Sequence, residues 1–172
     1  MGAEKLFQIC YEGDLTMEVC DALRTLGAEP NFDSSWQVLL SEERHAAPLA
    51  RFLRMRIGGD ARLLVARTHF TTNRDFLLVR HSLTPGADYS ELHAGIRRVG
   101  RVHDLPFEST FVVESDDTTD VQTLGAALGE LCPDDSLMVI GISHDFAFCA
   151  GPLRRMFVAA DARVLAEPYR RF

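Results

Sequence analysis

An internal repeat constrains the fold of this 172-residue chain more than any other feature of its sequence. Two consecutive segments contain the same six elements in the same order, at an offset of about 70 to 75 residues, and such self-similarity indicates a duplicated unit. Each segment opens with a short apolar run typical of a strand, at residues 6–11 in the first and 76–81 in the second. We expect a helix, two strands, a second helix and a last strand to follow in both.

The borders of the first helices match between the segments. A polar turn ending in Asp14 or Asp88 precedes each helix, and aspartate is a favoured N-cap residue. Each helix has apolar residues at helical spacing and stops at a glycine, Gly27 or Gly100, where a residue in the left-handed conformation is expected. The sequence therefore predicts equivalent first helices.

The remaining elements also recur. Hydroxyl-bearing residues followed by an aromatic one open the third strand of each segment, at residues 34–36 and 109–111, and the stretch before each is predicted to be its hairpin partner. A second amphipathic helix follows, and the last strands are predicted at residues 63–66 and 137–140. The order βαββαβ thus occurs twice.

This order predicts an α+β chain of two tandem ferredoxin-like units, each an antiparallel sheet with both helices on one face. Packing of the two sheets against each other would bury their open faces and make the chain an intramolecular pseudo-dimer. We expect the first unit over residues 1–72, the second over 73–150, and a short C-terminal extension over 151–172. Residues 156–158 and 163–165 are candidate short strands at a sheet edge.

Composition narrows the class of protein. With 47% hydrophobic and 25% charged residues, the chain can bury a core. It has no apolar run near the roughly 20 residues that cross a bilayer and no signal-peptide layout at its start, so we expect a cytoplasmic protein that does not enter membranes. Its four cysteines lack metal-ligand spacing and are expected to be reduced thiols, and no cofactor is expected.

Charge is unevenly distributed around a net value of −7. Residues 1–72 carry −2, residues 73–150 carry −8 and residues 151–172 carry +3, and all basic residues except Lys5 are arginines. Arginine suits phosphate contacts, although arginines at the end of a helix also stabilise its dipole. The candidate nucleic-acid-binding residues are Arg97, Arg98, Arg101, Arg154, Arg155, Arg170 and Arg171.

The repeated motifs resemble those of the CRISPR-associated protein 2 superfamily, which includes SinR-like and VapD-like relatives. The resemblance covers most of the chain as two units. It is carried by the end of the first strand, the end of the first helix, the start of the third strand and the last strand: Tyr11-Glu12, Leu26-Gly27, Ser34-Ser35-Trp36 and residues 60–65, matched by His81-Ser82, Val99-Gly100, Ser109-Thr110-Phe111 and residues 135–140.

The resemblance implies a metal-dependent nuclease fold. In that family, aspartates at the ends of the first strands of two protomers hold a divalent metal for phosphodiester cleavage. This chain has Glu12 with Asp14 in the first unit and Ser82, which has no carboxylate, in the second. Glu12 and Asp14 are therefore the candidate catalytic residues, with Mg²⁺ as their cofactor, but acids in a turn before a helix also serve as caps.

Three functions remain open at this point. The first is a non-catalytic or degenerate nuclease-fold module associated with DNA or RNA. The second is an active metal-dependent endonuclease, and the third is a protein-interaction scaffold, which the acidic second segment favours. The sequence does not decide whether the fused unit pairs with a second copy.

Overall fold

The computed structural model describes residues 4–14, 16–41, 45–57, 61–68, 76–82, 84–103, 105, 107–115, 120–132 and 136–149, together with the backbone of 156–159. In these residues the chain is a mixed α+β protein with four helices and antiparallel strand pairings. The α+β class predicted from the sequence is confirmed. Among the helices in this part of the chain, none is long and apolar enough to cross a membrane.

The elements follow one another in the predicted order. In the first half of the chain they are β1 (Glu4–Glu12), α1 (Met17–Thr25), β2 (Glu29–Phe32), β3 (Ser35–Ser41), α2 (Ala46–Ile57) and β4 (Arg62–Thr68). In the second half they are β5 (Phe76–His81), α3 (Ser90–Val99), β6 (Gly100–His103), β7 (Thr110–Ser115), α4 (Val121–Gly129), β8 (Leu137–Cys149) and β9 (Met156–Ala159).

The chain divides into two compact units. Unit 1 consists of Met1–Thr68 together with His144–Phe172, and unit 2 of His69–Ser143. The division falls inside β8, whereas the repeat in the sequence predicts that all residues up to 150 belong to the second unit. Of the predicted strands in the C-terminal extension, residues 156–158 lie in β9, which pairs with β8, and residues 163–165 lie outside the described residues.

Unit 1 has the strand order β2-β3-β1-β4-β8. Alternate residues of β1, such as Phe7 and Ile9, are fully buried in a hydrophobic core. Helix α1 contributes Val19 and Leu23 to this core, and α2 contributes Leu53. The apolar residues at helical spacing in α1 and α2 and at alternate positions in β1 therefore meet in one core, as the sequence pattern predicts.

The last part of β8 completes unit 1. Ala147 and Cys149 belong to its buried core. The carboxylate of Asp145 accepts a hydrogen bond from the backbone N–H of Ala46 at 3.0 Å and lies 3.2 Å from Nδ1 of His45. Because the first N–H groups of a helix have no partner within it, Asp145 caps α2 from a distant part of the chain.

Unit 2 has the strand order β8-β5-β7-β6. Leu77 and Val79 of β5 pack with Leu92 and Ile96 of α3 in its core, and α4 contributes Leu124. The four strands β1–β4 lie in the order β4-β1-β3-β2, and the four strands β5–β8 lie in the order β8-β5-β7-β6. Each set therefore has its fourth strand next to its first, then its third, then its second.

Of the two glycines predicted to end α1 and α3 in the left-handed conformation, one does so and the other does not. Gly27 has a φ of +72° and is the predicted left-handed residue after α1. Gly100 has a φ of 179°, which is extended backbone, and begins β6 directly after α3. The prediction was wrong there because glycine is needed for space: a Cβ atom on Gly100 would collide with the backbone oxygen of Glu114.

The helix starts also differ. The N-cap of α1 is Thr16, whose hydroxyl accepts from the backbone N–H of Val19, and not Asp14. The N-cap of α3 is Tyr89, which makes no side-chain cap hydrogen bond. Asp88 lies one residue earlier and accepts from the N–H and hydroxyl of Ser90. Both aspartates therefore lie slightly farther from their helices than the sequence predicts.

Candidate functional site

The strand registers identify equivalent positions in the two units. Tyr11 pairs with Leu63 in unit 1, and His81 pairs with Leu137 in unit 2. Tyr11 and His81 are therefore equivalent, and the next residues, Glu12 and Ser82, occupy the position at which the resemblance places a catalytic carboxylate.

In unit 1 this position is held by an ion pair. The Glu12 carboxylate lies 3.4 Å from the guanidinium of Arg62, the residue directly opposite it on β4. Only 10% of the Glu12 side chain is exposed, against 36% for Arg62. A metal ion at Glu12 would have to compete with a guanidinium that already neutralises the carboxylate.

The other candidate acid, Asp14, lies in the turn after β1. Its backbone carbonyl accepts from the Tyr11 hydroxyl at 2.9 Å and from the backbone N–H of Thr16 at 3.0 Å. Burial raises the pKa of Tyr11, and the negative charge of Asp14 raises it further. Tyr11 is therefore a protonated donor that holds the turn in place.

In unit 2 the equivalent position has no charge. The backbone N–H of Ser82 donates to the carbonyl of Ser136 at 2.9 Å, and the N–H of Ser136 donates to the Ser82 hydroxyl at 3.1 Å. These bonds extend the pairing of β5 with β8 by one residue. Within the described ranges, no group of three or more histidine, cysteine, aspartate or glutamate side chains could hold a metal ion.

The arginine candidates are found in two regions. Arg97 and Arg98 are exposed in the last turn of α3, and Arg101 is exposed two residues into β6. The structure therefore places three exposed guanidinium groups within five consecutive residues of unit 2. The other four candidates, Arg154, Arg155, Arg170 and Arg171, lie outside the described residues.

A cluster of aromatic rings lies near Arg97 in unit 2. His81, only 1% exposed, has its ring centroid 4.4 Å from that of Tyr89 and 5.4 Å from that of His93. The His93 ring lies 4.9 Å from Phe111 of β7. The Tyr89 hydroxyl accepts from the backbone N–H of Thr84 at 2.7 Å, which fixes the position of that ring.

Hydrogen bonds connect the two histidines of this cluster. A carbonyl oxygen only accepts, so Nδ1 of His81, 2.9 Å from the Ser82 carbonyl, carries a proton. Nε2 of His81 lies 3.3 Å from Nε2 of His93, so one of these two nitrogens donates a proton and the other accepts it. Burial lowers the pKa of His93, and His81 and Arg97 lower it further.

A cavity of about 530 Å³ opens next to this cluster. Its size falls within the range of roughly 300–1,000 Å³ that is typical of small-ligand sites. Its walls are contributed by α3, β6, β7 and the connection between the two strands: Tyr89, His93, Arg97, Val102, His103, Leu105, Phe107, Glu108 and Phe111. Arg97, selected from the sequence as a phosphate-binding candidate, is part of this wall.

The sequence does not predict this cavity, although several of the residues that line it belong to patterns described in the sequence analysis. Periodicity assigns Tyr89 and Phe111 to apolar faces, and His81 is typical of a structural histidine at a strand end. One signal does point to the site: Tyr89, His93 and Arg97 are four residues apart and therefore lie on one face of α3. The matching positions of α1, counted back from its closing glycine, are Thr16, Cys20 and Arg24, so the aromatic and imidazole groups are particular to unit 2.

The three buried cysteines are poor candidates for a nucleophile. Cys10, Cys132 and Cys149 are buried, and all four cysteines are free thiols. Burial raises the pKa of Cys149 to about 11, against an opposing effect of Arg54. Because the thiolate is the reactive form, Cys149 is inert at neutral pH.

Comparison with known proteins gives little further information. No protein-family model matches the chain, and no curated protein matches it. A solved structure that it does match is a crystal structure of an unknown protein from Galdieria sulphuraria, with 13% sequence identity, coverage of 82% of this chain and 100% of that one, and a TM-score of 0.30. What this chain does must therefore be inferred from its own residues.

Proposed function

We propose that the chain is a degenerate nuclease-fold module that associates with nucleic acid through unit 2 and does not cleave it. In this proposal, two ferredoxin-like copies resembling the CRISPR-associated protein 2 superfamily are joined in one chain and form a pseudo-dimer in place of two separate protomers. The recurrence of the βαββαβ order and of the strand order in both units supports the duplication.

The position of Arg97 is the observation that carries the proposal. It belongs to the exposed group Arg97, Arg98 and Arg101 and also lines a cavity with three aromatic rings. Proteins that bind single strands combine cations for the backbone with aromatic side chains on which bases stack. Unit 2 has both at one place, whereas the net charge of the whole chain is unfavourable for a broad phosphate-binding surface.

The proposed loss of cleavage rests on the two first-strand ends. Hydrolysis by a bound metal needs hard oxygen ligands. Glu12 is instead engaged by Arg62, and Ser82 has no carboxylate. Each copy has therefore replaced the family's metal ligand by a different local contact.

Binding is tested by fluorescence anisotropy with labelled single-stranded and duplex DNA and RNA between roughly 50 and 200 mM salt. Phosphate binding must weaken steeply as salt rises over this range. Replacing Arg97, Arg98 and Arg101 by alanine should weaken binding at least about tenfold and flatten the salt dependence, by about one unit of slope for each arginine that no longer reaches a phosphate. The matched control removes three exposed arginines from unit 1, Arg24, Arg51 and Arg56, and should retain binding.

Cleavage is tested on the same strands with Mg²⁺ or Mn²⁺. The proposal expects no product above a protein-free control. Metal-dependent product that disappears in Glu12→Ala would overturn it in favour of an active endonuclease using Glu12 and Asp14.

A protein-interaction scaffold is the second candidate, and one observation favours it: residues 73–150 carry 13 acidic and 5 basic groups. Such a surface repels phosphates except where arginines cluster. Failure of every nucleic acid to bind at the lowest salt concentration would select this candidate over the first.

A further inference from the structure

We propose that the cavity of unit 2 binds one unstacked base of a single-stranded nucleic acid, with Arg97 contacting a phosphate next to that base. This inference rests on the function proposed above and adds the ligand, its strandedness and its position. For convenience, the nine residues that line the cavity are called the base pocket.

The walls of the base pocket suit a flat heterocycle. Tyr89, Phe107 and Phe111 offer aromatic rings, and Val102 and Leu105 add apolar surface. Stacking of a base on an aromatic side chain contributes about 1–3 kcal/mol, and every base has a face that can stack. A base within a duplex already stacks on its neighbours, so only an unpaired base gains this contact without breaking pairs.

The polar groups of the base pocket differ in their roles. The ring of His93 and the carboxylate of Glu108 provide polar groups at the wall of the base pocket. Because His93 is neutral, Arg97 is the cation in this wall that suits a phosphate.

The equivalent positions of unit 1 provide a comparison within the same chain. Arg24 corresponds to Arg97, but Thr16 and Cys20 stand where unit 2 has Tyr89 and His93. Arg24 also lies 3.4 Å from the Asp21 carboxylate. The cation is thus common to both units, while the groups that would hold a base occur at these positions in unit 2.

The test uses a single-stranded oligouridine that carries one central 2-aminopurine and a dye at its 5′ end. Dye anisotropy reports binding of the strand, and 2-aminopurine fluorescence reports stacking of that one base. Wild type should change both signals. Phe107→Ala should weaken binding about five- to a hundredfold and abolish the 2-aminopurine change, while Phe52→Ala in unit 1, a partly buried aromatic residue, should leave both signals intact.

A second variant guards against misfolding of Phe107→Ala. Arg97 is exposed, so Arg97→Ala should fold normally. It should weaken binding of the strand and reduce the slope of log affinity against log salt concentration by about one. At saturating protein, the 2-aminopurine signal should return to the wild-type value. A duplex with the same base paired should show no 2-aminopurine change.

The outcomes separate the two proposals. In one outcome, binding depends on salt, but neither Phe107→Ala nor Arg97→Ala changes the 2-aminopurine signal. That outcome would overturn the base pocket and leave the proposed function standing. Equal 2-aminopurine changes with single strand and duplex would also overturn it. No anisotropy change with any strand at the lowest salt concentration would overturn the proposed function itself.

Discussion

The guanidinium of Arg62 lies 3.4 Å from the carboxylate of Glu12, and the two residues face each other across β4 and β1. This pair occupies the place where the resemblance puts a metal ligand. The ion pair gives Glu12 a structural role, and that role can be measured separately from catalysis.

Glu12→Gln should lower the free energy of unfolding by about 0.5–1 kcal/mol, a value kept small because Arg62 is 36% exposed and solvent screens its charge. Urea denaturation of Glu12→Gln, Arg62→Met and the double variant gives the coupling between the residues. A double variant whose loss equals the sum of the single losses would show that the pair contributes nothing.

Asp145→Ala should destabilise the protein by about 1–2 kcal/mol, because α2 would lose the carboxylate that accepts from the Ala46 N–H. Asp145→Asn should lose less, since an amide oxygen still accepts but cannot pair with His45. Thermal and urea unfolding measure both. Equal stability of Asp145→Ala and wild type would contradict the capping of α2 by β8.

Gly100→Ala should destabilise by about 2 kcal/mol or more, because its Cβ would meet the backbone oxygen of Glu114 and β6 would have to shift away from β7. Gly129→Ala is the control: among the described residues, no atom outside the backbone of α4 lies within 4 Å of the added Cβ, and alanine favours a helix. If both substitutions had the same effect, the close approach at Gly100 would not exist in solution.

Stability should decrease as pH falls below about 6.5, the ordinary histidine pKa. Burial lowers the folded-state pKa of His93 and of His103, the latter against an opposing effect of Glu114. At pH values between the lowered pKa and 6.5, the unfolded chain binds more protons than the folded chain, so a fall in pH favours unfolding. Above pH 6.5 both states are neutral at these histidines, which then contribute no pH dependence. Urea titrations between about pH 5 and 8 should show a shallower loss for His93→Gln than for wild type; identical profiles would contradict the burial of His93.

Much of the fold could be predicted because it depends on local patterns. Strand and helix periodicity, the hairpin signals and the left-handed Gly27 all follow from residues close in sequence. Some of the predictions that were wrong depend on distant contacts. The predicted last strand ends at residue 140, but β8 continues to Cys149. Its residue Asp145 accepts a hydrogen bond from the N-terminus of α2, a contact that local sequence patterns do not show.

The candidate site was only partly predictable for the same reason. Periodicity places Tyr89 and His93 on α3 but does not show that His81 and Phe111 meet them from two strands. The arginine cluster was visible because Arg97, Arg98 and Arg101 are close in sequence. The cavity that Arg97 lines forms only when β6 and β7 are brought beside the helix.

Photocrosslinking tests the central claim most directly. A single-stranded RNA with one 4-thiouridine is irradiated in complex with the full chain, and the crosslinked peptides are identified by mass spectrometry. We predict crosslinks within residues 89–111, centred on Phe107, that unlabelled single strand competes away and duplex does not. Crosslinks that map only to unit 1, or that survive in Phe107→Ala with the same yield, would contradict the claim.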